Sequence, residues 1–525
     1  MQPQQVSLSA PVRHPFGLAG LLLLLMFFLM LGSGLHKNLS YDEPNNLRYA
    51  YKLLSEGPMA DPEGQRMPVL ALNAIPCRSY QCDWKILEGS ETARIAVRLP
   101  SMIFALLTGL LIFIWARELY GVRPALLSLL LYVFNPNFIA HGKELTSDVS
   151  TSFFVLAWVY CLWKLLKTRA PLYFLLLSLA AGGAMLSKFS SLIILPVSVL
   201  LLLPAFYQEV KKAGASVILK WGAAAAAFGL LLLLYINAGY LFQGSFMPAS
   251  QYAWKSSSYQ KKLGTANIPI PFPKVFAEGL DYTKYLEENP HIGRGNNYIL
   301  GKLHRKGRWY SFAVMVGLKT PLAFFLLLVL AFINKNQEDA ESKLFLWVPF
   351  AAWFLIFSLC CKAQLGIRYL LPGLTFPLIF AGSALAPSLS KAKINSIILL
   401  ASWYVLSSVS YFPHALSYFN ELIGQRINAY KFIADSNLDW EDKKYFIDQF
   451  KSEHPKMKIT EDPLKPVSGY IIVGANNLVG VMEEHRFDWL RNNFKPLCEI
   501  TYSHYLYYVP EDQLAVTIAK KSVSS

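Results

Sequence analysis

The sequence is poor in charged residues, and this scarcity excludes most classes of soluble protein. Only 16% of its 525 residues are charged and 54% are hydrophobic, whereas a soluble domain carries about 25% charge. Runs of nearly continuous Leu, Ala, Phe and Ile accompany the deficit and are typical of membrane helices. The net charge of +15 does not indicate a nucleic-acid partner, because no basic stripe is interleaved with aromatic residues. Basic helix ends that meet lipid headgroups account for it.

Signatures of metal sites and of repeated architecture are lacking as well. No pair of CxxC units, no HExxH and no DxD occurs, and the histidines are scattered over separate loops. We therefore expect no required cofactor and no required metal, and a divalent ion is only weakly signalled. The chain also has no internal repeat, which counts against a transporter built from inverted repeats.

The six cysteines are few and unevenly placed. Cys77 and Cys82 share the first long polar loop, where they could form a disulfide if that loop lies outside the cytoplasm. Cys161, Cys360 and Cys361 lie in or beside apolar runs and are expected to pack there.

About eleven apolar runs approach the length of about 20 residues that crosses a bilayer. They are expected at 16–35, 95–115, 123–140, 148–166, 172–187, 189–206, 216–238, 310–333, 344–361, 368–387 and 394–412. The first run lacks a convincing cleavage site, so it is interpreted as a retained helix. The sequence thus predicts an all-α polytopic membrane protein.

Lysine and arginine in the short loops orient the chain. Threading from an inside amino terminus makes every short inside segment basic and places the long polar loops 36–94 and 239–309 outside. An odd number of helices also places the tail outside. We therefore predict a transmembrane domain over 1–412 and an extracytoplasmic α/β domain over 413–525. Its predicted elements are a helix over 439–454 and strands over 468–474, 498–509 and 514–519.

Two acidic positions stand at the expected outer membrane edge. Asp42 and Glu43 directly follow the first run, and Asp148 opens the fourth. A carboxylate there could accept a proton as a general base. The alternatives are a solvated acidic pair that opens a helix, and a helix cap at Asp148.

Five cations lie at or near the outer edge. They are Arg94, Arg98, Lys188, Lys319 and Arg368. Most such residues extend to lipid headgroups, but Lys319 falls about ten residues into an apolar run, where charge is costly and usually functional. Fixed cations of this kind could hold a departing phosphate.

An outside location restricts the chemistry, because no pool of nucleotide sugars exists there. A synthetic enzyme needs a donor delivered through the membrane, and a sugar linked to polyprenyl phosphate satisfies this requirement. The carboxylates and cations named above match its needs for a base and a phosphate site.

Several motifs, taken together and in order, resemble a known family. They are Tyr41-Asp-Glu-Pro44, Arg98-Leu-Pro-Ser101, Arg117-Glu-Leu-Tyr-Gly121, Asn135-Pro-Asn-Phe-Ile-Ala-His-Gly142, Thr146-Ser-Asp148, Ser187-Lys-Phe189, Gly307-Arg-Trp-Tyr310, Lys319-Thr-Pro321, Gly366-Ile-Arg-Tyr-Leu-Leu-Pro372, Ser417-Tyr-Phe-Asn-Glu421 and Asp435-Ser-Asn-Leu-Asp-Trp440. The chain resembles the bacterial members of the protein O-mannosyltransferase family, which are related to the lipid A aminoarabinose transferase and have the GT-C membrane fold.

The resemblance implies roles for individual residues. Asp42 matches the family's catalytic base, with Glu43 beside it, and Asp148 matches the second acidic position. Arg98, Lys188 and Arg368 match basic positions near the lipid phosphate. The β-trefoil domain of the eukaryotic members is not visible, which leaves a protein acceptor in doubt.

The sequence therefore predicts a glycosyltransferase that uses a polyprenyl-phosphate sugar and acts on an acceptor hydroxyl or phosphate, and the resemblance implies that it inverts the anomeric configuration. The acceptor could be a lipid, a glycan or a protein, and membrane lipids are the other expected partners. The expected location is the bacterial inner membrane, with the active site and the tail on the periplasmic side. A multi-spanning transporter or lipid flippase is the alternative.

Overall fold

Long apolar helices dominate the architecture. The computed structural model describes residues 14–57, 67–80, 82–289, 292, 297–334, 340–385 and 389–516. Within these ranges, seven helices are long and apolar enough to cross a membrane: Pro15–Gly34, Glu91–Tyr120, Asp148–Thr168, Phe189–Ala213, Ser216–Gly239, Ala340–Cys360 and Lys391–Val409. The predicted class of polytopic α-helical membrane protein is confirmed.

Two further apolar stretches are broken helices. Val122–Val133 and Pro136–Gly142 meet at 60°, and Ser311–Lys319 and Leu322–Ile333 meet at 98°. A proline lies at each break, Pro136 and Pro321, where a proline lacks the N–H that would continue the helix. Asn135 caps the second half of the first pair by accepting from the backbone N–H groups of residues 137 and 138.

The predicted number of spans needs a correction, although helix forms within every predicted run over the described residues. The described part of the chain holds seven continuous spans, or nine when each broken pair counts as one. Pro171–Met185 and Ile367–Gly382 are apolar but shorter than a span. Residue hydropathy locates a helix well but does not reveal where a proline shortens or bends it.

One short helix lies at the centre of the bundle. Every residue of Leu371–Gly382 is buried, and the helix packs against Val122–Val133, where Ser128 Oγ donates to Ile379 O at 3.0 Å. Helix Ser216–Gly239, by contrast, has only three buried residues and lies at the periphery. The charged turn that precedes Leu371 therefore adjoins a fully buried helix.

The two long polar loops are largely folded. The first carries helices Glu43–Glu56, Ala71–Ala74 and Trp84–Gly89, and Cys77 and Cys82 form a disulfide there. The second carries helices Ser257–Leu263 and Lys274–Glu288 and a hairpin of Asn297–Ile299 with Lys302–His304. Of the cysteines expected to pack, Cys161 is buried but Cys360 is exposed.

The tail forms a small α/β unit. Its four strands lie in the order Ile459–Glu461, Gly469–Gly474, His504–Val509, Cys498–Ile500, and the first pair is parallel. Helix Lys444–Glu453 accompanies the sheet, with short helices Ala475–Leu478 and Asp488–Asn493. The single predicted strand 498–509 is a hairpin, because Thr501 and Tyr502 adopt positive φ angles and turn the chain.

Two predictions for the tail are wrong in part. Residues 511–516 are helical, so the predicted strand 514–519 is not formed over 514–516, and 517–519 lie outside the described residues. Pro510 and the acidic residues that follow it favour a helix start over the β-branched composition. The predicted helix 439–454 begins only at Lys444, because the preceding residues bind the first loop.

That contact joins the tail to the transmembrane part. Asn38 N–H donates to Asp442 O and Tyr41 N–H donates to Trp440 O, each at 3.1 Å. We call residues 435–442 the docking segment. It lies against the loop that leads from the first span into Asp42.

Candidate active site

An ion pair near the start of the first loop brings together two distant parts of the chain. Arg368 Nη1 donates to Asp42 Oδ2 at 2.8 Å, and 326 residues separate the two in sequence. The Asp42 side chain is 34% exposed and that of Arg368 is 12% exposed. This carboxylate is therefore both fixed by a cation and open to solvent.

A second ion pair lies beside the first. Lys188 Nζ donates to Asp148 Oδ1 at 2.5 Å, and Asp148 is buried while Lys188 is partly exposed. Lys188 belongs to a short turn between two apolar helices, and Asp148 is the first residue of its helix.

Tyr369 connects the two pairs. Lys188 Nζ lies 4.7 Å from the centre of its ring, and Arg368 Cζ lies 5.6 Å from it. The charge of Arg368 also acts on Asp148. We call Asp42, Arg368, Asp148 and Lys188 the four-charge site. It places two carboxylates and two cations, drawn from four separate elements, at one mouth of the bundle.

The structure places Glu43 and Arg98 beneath this mouth. Both side chains are fully buried, and Arg98 donates to Glu43 Oε1 at 2.9 Å and to Oε2 at 2.6 Å. Glu43 also accepts from the N–H groups of Ser40 at 2.8 Å and Leu145 at 2.9 Å. Burial raises the pKa of Glu43, but the charge and hydrogen bonds of Arg98 outweigh it and lower the pKa to about 2.

This buried pair positions its neighbour in sequence. Glu43 begins the helix Glu43–Glu56, and its carboxylate accepts from Ser40 N–H. The turn that carries Asp42 is therefore held by the helix on one side and by this hydrogen bond on the other. Four acceptor contacts on one carboxylate are an arrangement that suits structural support rather than proton transfer with a substrate.

Lys319 lies at a helix break and is fully engaged there. Its ammonium donates to Leu416 O at 2.7 Å and to Asn437 O at 2.6 Å, and it lies 4.7 Å from the ring centre of Phe419. The carbonyls belong to the tail, so this lysine fastens the docking segment to helix Ser311–Lys319. Lys319 as a whole is 1% exposed, so its ammonium is shielded from solvent.

A buried ionic network extends from Arg98 into the tail. Lys37 Nζ lies 3.1 Å from Asp442 Oδ2, and Lys143 Nζ lies 3.7 Å from the same oxygen. Lys143 also pairs with Glu144, which lies 4.0 Å from Arg98 Nη2. Burial lowers the pKa of Lys37 to about 8, although Asp442 opposes that shift. Removing one of these charges without its partner is expected to lower the stability of the fold strongly.

Two aromatic side chains complete the site and were not predicted from the sequence. Trp440 places its ring 4.5 Å from Arg368 Cζ and contacts His141 edge-on, with ring centres 5.6 Å apart. Tyr369 lies between the cations. Both residues belong to motifs that carry the family resemblance. Tyr369 directly follows Arg368 and Trp440 directly follows Asp439, and these positions are the only sequence signal that could have identified them.

The described ranges hold no group of three or more His, Cys, Asp or Glu side chains suited to a metal ion. The carboxylates of the four-charge site are instead paired with Lys188 and Arg368. Charge at this mouth is thus balanced by side chains.

Comparison with known proteins identifies a related segment. Residues 86–236 match the family model described as dolichyl-phosphate-mannose-protein mannosyltransferase. That segment contains Arg98, Asp148 and Lys188. No curated protein matches the chain significantly.

Several solved structures are similar to this chain. The archaeal oligosaccharyltransferase AglB from Archaeoglobus fulgidus, in complex with an inhibitory peptide and a dolichol-phosphate, has a TM-score of 0.51 at 12% identity and covers 80% of this chain. ArnT from Cupriavidus metallidurans, bound to undecaprenyl phosphate, has a TM-score of 0.47 at 11% identity, and the match covers 94% of this chain and 97% of that one. The S. cerevisiae Pmt1-Pmt2 complex bound to the sugar donor has a TM-score of 0.39 at 18% identity over 50% of this chain.

The matches differ in extent. The chain spans 57% of the archaeal protein and 38% of the yeast protein. The family model confirms the predicted resemblance over residues 86–236, and the archaeal structure confirms the predicted fold.

Proposed function

We propose that the protein is an inverting, mannosyltransferase-like glycosyltransferase. It moves a sugar from a polyprenyl-phosphate donor to an acceptor hydroxyl or phosphate at the extracytoplasmic face of a bacterial inner membrane. The four-charge site carries this proposal, because it sets a half-exposed carboxylate beside two cations at the mouth of a membrane bundle. The family match over residues 86–236 supports the reaction class.

The proposed reaction uses these charges in a defined order. Asp42 accepts the proton of an acceptor hydroxyl as its oxygen attacks the anomeric carbon. The bond between that carbon and the phosphate oxygen breaks, and the electron pair leaves on the phosphate. Lys188 and Arg368 stabilise the phosphate as its charge grows. Attack opposite to the leaving group inverts the configuration.

The remaining predicted residues take supporting roles in this proposal. Asp148 holds Lys188 in place, and Glu43 and Arg98 fix the turn that bears Asp42. Lys319 anchors the docking segment. The disulfide of Cys77 and Cys82 supports an outside location for the first loop, since such bonds persist in oxidising compartments.

A transfer assay tests the proposal. Purified protein in detergent receives labelled polyprenyl-monophosphate hexose or pentose together with an envelope extract. We expect label to pass from the lipid to a new product. A polyprenyl-diphosphate sugar and membranes that lack the protein serve as controls. Failure with every monophosphate donor would refute the proposal.

We expect Lys188→Ala to raise the KM for the donor about tenfold and to leave the KM for the acceptor nearly unchanged. Lys188 is the more exposed of the two site cations, and a charge-assisted bond to phosphate contributes about 1.5–3 kcal/mol. Initial rates at varied donor and acceptor concentrations measure both constants. Lys164→Ala, which breaks an ion pair with Glu118 outside the site, is the matched control. An unchanged donor KM would remove Lys188 from the phosphate site.

The transporter alternative has one specific observation in its favour. The two broken helices meet, because Asn137 Nδ2 donates to Lys319 O at 2.8 Å, and broken helices that meet in the membrane are a feature of transporters. Reconstituted vesicles distinguish the two functions. A transporter moves labelled lipid between leaflets without changing it, whereas the proposed enzyme transfers the sugar.

A further inference from the structure

The docking segment brings a third carboxylate to the four-charge site. Asp435 is half-buried, and the charged groups that act on it from the elements packed against it are Arg368 and Asp42. Lys319 reaches the same segment but binds a carbonyl, that of Asn437. Neither the sequence patterns nor the proposed reaction gives Asp435 a role.

The segment is clamped onto the turn that carries Arg368. Ser436 Oγ donates to Leu365 O at 2.5 Å, and Ile367 N–H donates to Asn437 Oδ1 at 2.9 Å. A Cβ atom on Gly366 would lie 2.7 Å from Ser436 Oγ, so only glycine permits this approach. The turn and the segment are therefore expected to move as one body.

Asp435 itself is held in an uncommon conformation. Its φ angle is +62°, a left-handed value that costs a non-glycine residue free energy and that is often found at functional sites. Asn476 Oδ1 accepts from its N–H at 2.7 Å, and Ser436 N–H donates to its Oδ1 at 2.5 Å. In the described part of the chain its Oδ2 accepts no hydrogen bond. This oxygen is available to act on neighbouring charge.

We propose that Asp435 is a positioning residue of the active site, which acts through Arg368 to set how strongly that guanidinium holds the phosphate of the donor. The inference rests on the proposed function. When Asp435 is ionised, Arg368 faces three carboxylates, those of Asp42, Asp148 and Asp435, and attracts a phosphate less strongly. When Asp435 is protonated, Arg368 faces only the carboxylates of Asp42 and Asp148.

The pKa of Asp435 lies within the pH range in which binding can be measured. Burial raises its pKa to about 6, against the opposing effects of the Ser436 N–H and the charge of Arg368. Phosphate binding and protonation of Asp435 are then reciprocal, since each favours the other by the same factor. Donor binding is expected to weaken as the pH rises through about 6.

The experiment measures binding of a probe whose own charge does not change. Geranylgeranyl methyl phosphate is a diester with one negative charge between pH 5 and pH 7.5, and it contains no sugar. We expect the unmodified protein to bind it about fivefold more tightly at pH 5 than at pH 7.5. We expect Asp435→Asn to bind equally at both values, and as tightly as the unmodified protein at pH 5.

Two further variants make the result specific. Asparagine keeps an oxygen for the Ser436 N–H and tolerates left-handed φ angles; if that variant fails to fold, Asp435→Gly accepts the same φ without cost. Asp462→Asn is the matched control, because burial also raises the pKa of Asp462 while His504 and Glu461, not Arg368, face it. It should retain the pH dependence of the unmodified protein.

The outcomes separate the two proposals. Binding that changes with pH equally in the unmodified protein and in Asp435→Asn would overturn the role of Asp435 alone. Loss of the pH dependence in Asp462→Asn as well would also overturn it. No binding by the unmodified protein at either pH would instead refute the donor site, and the inference with it.

Discussion

Replacing Asp42 with asparagine is expected to lower the turnover number of sugar transfer by a factor of about 10²–10⁴, which is the usual contribution of a general base. Asparagine preserves the shape and a hydrogen bond to Arg368 but cannot accept the proton of the acceptor. The donor phosphate still finds Arg368 and Lys188, so the KM for the donor should change little. The loss should therefore appear in the turnover number.

Initial rates with saturating donor measure this effect. Asp83→Asn is the matched control, because Asp83 lies in the same loop and caps helix Trp84–Gly89, a role that asparagine also fills. It should keep full activity. Turnover by Asp42→Asn at the unmodified rate would mean that another group accepts the proton.

Replacing Arg98 with methionine is expected to lower the free energy of unfolding by about 3–5 kcal/mol, because it leaves the fully buried Glu43 carboxylate without its partner. The double variant Glu43→Leu with Arg98→Met removes both charges and should recover most of the loss. Reversible unfolding in mixed detergent measures the difference. Arg48→Met, on the exposed face of the same helix as Glu43, should stay within about 0.5 kcal/mol.

The same pair gives a pH dependence with a definite sign. The pKa of Glu43 lies at about 2 in the folded protein and at about 4.3 in an unfolded chain. The pair therefore stabilises the fold fully above about pH 4.3, and this contribution disappears as the pH falls towards 2. Acid should destabilise the unmodified protein more than the double variant in that interval. Equal acid sensitivity would show that the pair does not govern it.

The sequence predicts the helices of this fold because their cause is local. A run of apolar side chains forms a helix in a bilayer whatever surrounds it. The breaks at Pro136 and Pro321 depend on how polar groups such as Asn135 satisfy the freed backbone, and this is decided by packing. The failed strand near residue 514 has a local origin instead, since the helix start after Pro510 prevails over β propensity.

The sequence predicts a set of candidate site residues but not their arrangement. Family motifs single out Asp42 and Arg368, yet only folding across 326 residues pairs them. No sequence spacing shows that Arg98 forms an ion pair with Glu43 or that Lys319 donates to tail carbonyls. The contribution of Trp440 depends on how the tail docks, which requires the tertiary structure.

The ion pairs also bear on how the spent carrier departs. The two cations and two carboxylates of the four-charge site have a formal charge of zero. In the proposed reaction the phosphate changes from a diester with one negative charge to a monoester with about 1.5–2, while Asp42 becomes neutral and releases Arg368 to meet that charge. Once Asp42 returns its proton to water, it competes with the phosphate for Arg368. Deprotonation of Asp42 then both restores the base and weakens the hold of Arg368 on the phosphate, so that the carrier lipid can leave.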